Sequence, residues 1–526
     1  AGVPVVASAA AWLRGGLAIV ALAHFALLAQ GLQLLDARPR RSDFLLMALG
    51  LLQMLLAANL TDSLLFPPLL VVFVLAMVWT LVVHTLWAES LAAGEVWRAE
   101  RAFAPGMLRT TLAAASLSLV LAMAIFLVLP RVRSGALSAP GLIATPQAGF
   151  SDRIALGDLG RIRQDPTVML RVETLEGSPP AREHSYWRGL AFDRFDGRHW
   201  SVTPARRRHV ASGADLGITL GRRTQPVALV QRILREPVAA GVLFSAGVPA
   251  DLEGSFGRVE IDPNGGLYAP ESERDRVQYA VGVVSALPAG ESLRDDRTLP
   301  PREDGERYLA LPPLSEEVRA LAEEITRGAE GDAERVAAIE RHLHGNGRYD
   351  DRPPPERPGD PRPPIEAFLL EETAGHCEYF ASGMVVLLRS LGIPARLVNG
   401  FAGGSENALG GFVELTRSDA HAWVEVHYEQ AGWVPYDPTP IDARLRADAF
   451  DLAARLRGLG SALEHWWFQH VVEFDRSQQM RALRSGWLAW QDWRGEPRRD
   501  AQPAAARSGS PLRIDGAALA PLGVGL

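Results

Sequence analysis

Four apolar stretches precede residue 131, at about Gly15 to Leu35, Phe44 to Leu60, Leu64 to Trp87 and Thr111 to Leu129, and they constrain this chain more than any other feature. Each approaches the ~20 residues that an α-helix needs to cross the apolar core of a bilayer. They lack the polar face of a soluble amphipathic helix, so residues 1–130 read as a transmembrane α-helical bundle rather than a soluble all-α domain. The loop after the first stretch carries Arg38, Arg40 and Arg41, the next is only Thr61-Asp62-Ser63, and the third carries Arg98, Arg101 and Arg109. Positive loops stay in the cytoplasm, which places everything after Pro130 outside it, although Arg131 and Arg133 reduce the asymmetry. The same topology puts residue 1 outside, yet the chain opens with Ala and shows no cleavable signal peptide, so the expectation is a truncated start with one further span upstream. His24 and His84 lie within spans that hold no acidic partner, and they read as packing rather than as a pathway.

The mean hydropathy of +0.03 is an average over this apolar quarter and a polar remainder. At about 100 to 200 residues per domain, 526 residues divide into two to four domains. A net charge of −7 and a pI near 6.0 exclude a general nucleic-acid binder, which needs a basic surface to displace counterions. A single cysteine, Cys377, excludes an intramolecular disulfide framework and any site built from several thiolates. There is no lysine, so all 54 basic residues are arginines. No cofactor is expected: His342-Leu343-His344 near a helix end has no companion ligands at metal spacing.

From residue 131 to about 310 the pattern turns to short alternating runs such as Val168–Val172 and Gln278–Val284, separated by Gly, Pro and Asp, which predicts a β-rich extracytoplasmic domain. The segment Tyr186 to Trp200 has Asp196-Gly197 at a hairpin turn with aromatics on both arms, read as core packing of a small sandwich over ligand contact. Helices follow at Ser315 to Thr326, with Ser315 as the cap, and at Asp332 to Leu343. Seven prolines among the thirteen residues Arg352 to Pro364 bar helix and sheet, leaving a surface loop that is either a spacer or a wall of a substrate cleft.

Cys377 opens a run in which Cys377, Phe380, Met384, Leu388 and Leu391 recur at helical spacing. A thiol in the first turn of a helix feels the positive end of the macrodipole, which favours the nucleophilic thiolate. Such a thiolate needs a base, and the base needs an acceptor to orient it. His421 lies on an alternating strand, Ala420 to Tyr428, and Asp437 ends a second, Trp433 to Asp437; a hairpin brings the two together. His427 on the first strand is the competing base.

The strings GHCEYFASGMVVLLRSLGIPARLVNGF, DAHAWVEV and GWVPYDPTP resemble the bacterial branch of the transglutaminase-like superfamily over roughly Leu311 to Ile441. The preceding spans and the YWRGLAFDRFDGRHW segment extend that resemblance to the membrane-anchored TgpA-type proteins. The resemblance implies a papain-like α+β core with Cys377 as nucleophile, His421 as general base and then acid, and Asp437 orienting His421. It leaves Tyr379 and Trp423 as either acyl-donor tunnel or packing, puts the Cys377 N–H in an oxyanion hole, and makes His376 a bystander. The implied activity is that of a protein-glutamine gamma-glutamyltransferase-like thiol acyltransferase forming a thioester with a glutamine-type or peptide donor. A cysteine protease or amidase acting on cell-envelope peptides is the alternative, and a noncatalytic envelope scaffold the second. The implied partners are a donor and an amine acceptor in the cell envelope and the lipid bilayer, with the enzyme in the bacterial inner membrane and its catalytic domain periplasmic.

Beyond the core, Ala443 to Arg457 and Ser461 to Trp493 read as helices, the second with a tryptophan set suited either to a membrane interface or to packing on the catalytic domain. The organisation predicted is therefore a transmembrane region (1–130), a β-rich domain (131–310), a transglutaminase-like core (311–445), an aromatic-rich helical segment (446–500), and a linker with the start of a final span (501–526).

Overall fold

The computed structural model describes residues 18–35, 41–60, 65–94, 105–128, most of 153–284, 293–350, 362–440 except 372, and 452–469. Residues 352–361 of the expected proline-rich loop Arg352–Pro364, the helix beyond 469 and the C-terminal linker lie outside the described residues, and the last proline of that run, Pro364, opens the helix Pro364–Leu370 because a first-turn proline costs a helix no hydrogen bond. The chain forms two compact units, one built on the N-terminal helices and the other on Ile143–Leu459.

In the first unit four helices, Ala18–Leu35, Arg41–Leu60, Phe66–Ala92 and Pro105–Val128, stand where the apolar stretches lie, and consecutive helices pack on one another. Among the described residues one of them, Phe66–Ala92, is long and apolar enough to cross a membrane; Asp43–Ala57 and Arg109–Leu121 are shorter apolar runs. Phe66–Ala92 starts with Pro67 and Pro68, where a missing N–H costs nothing, and has no buried residue along its 27. Contrary to expectation, His84 has an acidic partner: Asp43 at the start of the second helix places Oδ2 3.4 Å from its Nε2.

The second unit is built on two antiparallel sheets. The larger has nine strands, running Ser405–Asn407, Phe412–Thr416, Val168–Glu176, Val227–Arg235, Val277–Val284, Val248–Ile261, Leu267–Tyr268 and Val242–Leu243, with Arg208–Thr219 also paired to Val248–Ile261. Val277–Val284 has neighbours on both sides and is buried at six of its eight residues, which is why its sequence is an almost unbroken apolar run. The smaller sheet has the order Gly432–Tyr436, Ala420–Tyr428, Ala395–Ala402 and Tyr186–Phe192. Strands from before and after residue 310 thus pair in both sheets: Val413 stands opposite Val172, and Val398 opposite Ala191.

The helix Cys377–Ser390 is buried from Cys377 through Arg389, so its apolar residues continue around the whole circumference. It packs on the strand Ala420–Tyr428 and on the helices Glu316–Ile325, Asp332–Asn346 and Pro364–Leu370. The expected helices at 315–326 and 332–343 are present, but the Ser315 side chain makes no capping bond; its N–H instead donates to the buried Glu366 at 3.1 Å. Near the C-terminus a single helix, Leu452–Trp467, runs without interruption through Gly458 and Gly460, where two helices had been expected.

The aromatic segment divides between two sites. Asp196-Gly197 does turn a hairpin, pairing Phe195 with Trp200, and Gly197 adopts a left-handed φ of 98°. Its first arm, Tyr186–Phe192, does not belong to a separate sandwich but forms the edge strand of the smaller sheet. Trp200 is buried and its indole N–H donates to Ser382 Oγ on the cysteine helix at 2.8 Å.

Candidate active site

Cys377 is the first residue of its helix and is wholly buried. His376 precedes it at the N-cap position in extended conformation, and its Nδ1 accepts the Glu378 N–H at 3.4 Å. The residue read as a bystander is therefore part of what ends the helix beside the thiol. Glu378 follows in the first turn, and its Oε2 accepts the Gly157 N–H at 2.9 Å.

His421 stands opposite Gly400 in the neighbouring strand, and Asp437 lies just past the end of the strand Gly432–Tyr436. The hairpin register that sequence left open brings them together: His421 Nε2 is 2.7 Å from Asp437 Oδ2. With Nε2 so engaged, Nδ1 is the nitrogen left for Cys377, with which the His421 side chain is also hydrogen-bonded. Burial disfavours the imidazolium, but the Asp437 charge and hydrogen bond together with Cys377 outweigh it and raise the His421 pKa to about 9.

Asp437 is held from several directions. Oδ2 also accepts the Tyr186 hydroxyl at 2.9 Å, Oδ1 accepts the Thr439 N–H at 3.0 Å, and the Asp437 N–H donates to Glu340 at 3.0 Å. His344 Nε2 lies 2.8 Å from the Thr439 carbonyl, so this residue of the His342-Leu343-His344 trio secures the loop after Asp437.

Trp423 is buried and packs with Ala191 and Val398; its ring lies 5.2 Å from Tyr186 and is stacked 6.4 Å from His421. Gly400 makes room for it, because a Cβ there would fall 2.8 Å from the Trp423 ring and 2.1 Å from the Trp187 carbonyl oxygen. Tyr379 is buried against His376 and Phe368. His427, the competing base, lies six residues along the strand from His421, about 20 Å at ~3.3 Å per residue, with Nδ1 2.6 Å from the Leu299 carbonyl.

One flank of the site is braced by charge. Arg188 Nε and Arg396 Nε reach opposite oxygens of the buried Glu425 at 3.0 and 2.7 Å, and Arg188 also donates to the carbonyls of Asn264 and Gly265. Burial opposes the Glu425 carboxylate, but the two guanidiniums hold its pKa below the ordinary range. Sequence reasoning identified neither this cluster nor Tyr186; the aromatic segment was the one available signal, and it does not indicate which distant strand it joins.

A buried thiol at a helix N-terminus, bonded to a histidine that an aspartate orients, is an arrangement suited to nucleophilic thiol chemistry on an acyl group. Comparison with known proteins makes the class specific. Residues 1–290 match the family described as TgpA N-terminal domain and residues 319–438 match the transglutaminase-like superfamily, so the chain belongs to the TgpA family of transglutaminase-like proteins. A protein-glutamine gamma-glutamyltransferase of Pseudomonas aeruginosa is 32% identical over 293 residues, covering 55% of this chain and 40% of that protein. The uncharacterized protein YebA of Bacillus subtilis is 29% identical over 304 residues, 53% of this chain and 39% of its own length. Matched segments thus span about two fifths of these relatives. The crystal structure of the periplasmic domain of TgpA from Pseudomonas aeruginosa is 26% identical, covers 61% of this chain and 99% of that one, and superposes with a TM-score of 0.44.

Proposed function

We propose that this chain is a multi-pass inner-membrane enzyme whose extracytoplasmic unit transfers acyl groups through a Cys377 thioester. The observation that carries the reading is His421, buried between Asp437 and Cys377 with its imidazolium favoured to about pH 9. In this reading the Cys377 sulfur attacks the carbonyl carbon of a glutamine-type or peptide donor, forming a C–S bond. The negative charge that develops on oxygen is met by backbone N–H groups including that of Cys377. The His421 imidazolium then protonates the departing nitrogen as the C–N bond breaks, releasing ammonia or an amine. In the second half-reaction the now neutral His421 takes a proton from the incoming amine, which displaces sulfur and yields the new amide. Asp437 keeps one ring nitrogen of His421 committed throughout, so the other always faces the reacting atoms. The donor and acceptor are taken to be envelope proteins or peptides.

The 526-residue chain in detergent, given a glutamine-bearing protein and a labelled primary amine beside its Cys377→Ala twin, tests this directly. Label incorporation that vanishes in the twin is the expected result. Ammonia or peptide fragments without incorporation would make it a hydrolase, and neither product across several donors would leave the scaffold reading. The orientation is tested separately in a Cys377→Ala background. An impermeant maleimide added to intact cells should label a cysteine placed at Glu303 and not one placed at Arg101.

A further inference from the structure

The Tyr186 hydroxyl and the His421 imidazole share one oxygen, Asp437 Oδ2, at 2.9 and 2.7 Å. Tyr186 lies 251 residues before Asp437, outside the segment that matches the transglutaminase-like superfamily, and reaches the site because its strand is the edge of the smaller sheet. Its ring is fixed by Trp423 at 5.2 Å and approaches His421 at 6.2 Å. The Asp437 carboxylate could in principle rotate about its terminal torsion, which is broad for this side chain. With Thr439 N–H on Oδ1 and Tyr186 on Oδ2, both oxygens are claimed and the plane of the carboxylate is set.

We propose that Tyr186 is a positioning residue for acyl transfer: its hydroxyl holds Asp437 in the orientation that keeps His421 turned toward Cys377. The region before the transglutaminase-like core then supplies a part of the site. This rests on the thiol acyl-transfer reading, and Tyr186 itself touches no reacting atom.

Tyr186→Phe keeps the ring between Trp423 and His421 and removes only the hydroxyl. In the 526-residue chain the proposal expects a modestly lower melting temperature, an unchanged KM for the amide donor and a kcat lower by roughly tenfold or more, the scale of losing a hydrogen bond to a charged group. The deciding readout needs no substrate. The rate of Cys377 alkylation by iodoacetamide, followed against pH, should shift to higher pH in Tyr186→Phe, because a less well-held Asp437 supports the imidazolium and hence the thiolate less. An alkylation profile that stays in place or moves to lower pH overturns the proposal, as does wild-type kcat. Absence of turnover in the wild type, with the alkylation shift intact, would sink the acyl-transfer reading while sustaining the role of Tyr186. A wild-type Cys377 that alkylates as an ordinary thiol would remove both.

Discussion

At the scale of single residues the site depends on which groups hold charge in a dry interior. Because His421 keeps its proton to about pH 9, donor kcat/KM dependent on Cys377 should hold near pH 8 and decline as pH rises through about 9, where the general acid is lost. A plateau persisting beyond pH 10 would show that His421 does not govern the step. Asp437→Asn removes the charge that raises the His421 pKa, so it should move that decline to lower pH and reduce kcat by about 10²- to 10⁴-fold. Glu425 makes a different kind of prediction. Removing its charge with Glu425→Gln leaves the guanidiniums of the largely buried Arg188 and the buried Arg396 uncompensated, at a cost of about 3–5 kcal/mol in denaturant unfolding. Since the Glu425 pKa is depressed in the fold, its stabilisation is present above about 4.5, the ordinary value, and fades as pH falls below it. The gap between wild type and variant should therefore narrow in acid; a gap that stays constant down to pH 3 would argue for packing instead.

At the scale of elements, the helix behind the thiol is secured by a side chain from far upstream. Trp200→Phe deprives the buried Ser382 hydroxyl of its donor and should lower stability by about 1–3 kcal/mol; adding Ser382→Ala should recover part of that in a double-mutant cycle. Additive losses would mean that the hydrogen bond carries little. Gly400→Ala should be more severe, since its Cβ would meet backbone oxygen at 2.1 Å, and soluble expression is the check. Elements of this kind differ in how far sequence reveals them. The helical spacing from Cys377 to Leu391, the strand Ala420–Tyr428 and the Asp196-Gly197 turn were legible because each is set by a local period or turn chemistry. The partner of Tyr186–Phe192 was not, because hydrogen bonds between strands are alike whichever strand answers, and an alternating aromatic run fits many sheets equally well. The same limit concealed the role of Glu425, whose partners Arg188 and Arg396 lie on two other strands. The continuous helix through Gly458 and Gly460 shows the reverse error, since glycine lowers helix propensity without forbidding the helix.

At the scale of the whole molecule, the matched superfamily segment 319–438 is not a self-contained sheet, because Tyr186–Phe192 completes its edge and Val168–Glu176 takes up Phe412–Thr416. A fragment beginning at residue 311 would expose both edges as unpaired backbone. It should aggregate or fail to melt cooperatively, whereas a fragment covering the compact unit Ile143–Leu459 should melt in one transition by circular dichroism. A cooperative, soluble fragment from 311 would contradict the pairing across residue 310. The strand shared in this way also fixes an order of events during synthesis. Tyr186 leaves the ribosome 251 residues before Asp437, roughly ten to fifty seconds earlier at about 5–20 residues per second. Until Asp437 follows, the edge strand has no finished sheet to join and His421 lacks its carboxylate partner, so the contact that unites the earliest and latest strands of this sheet is the last to form.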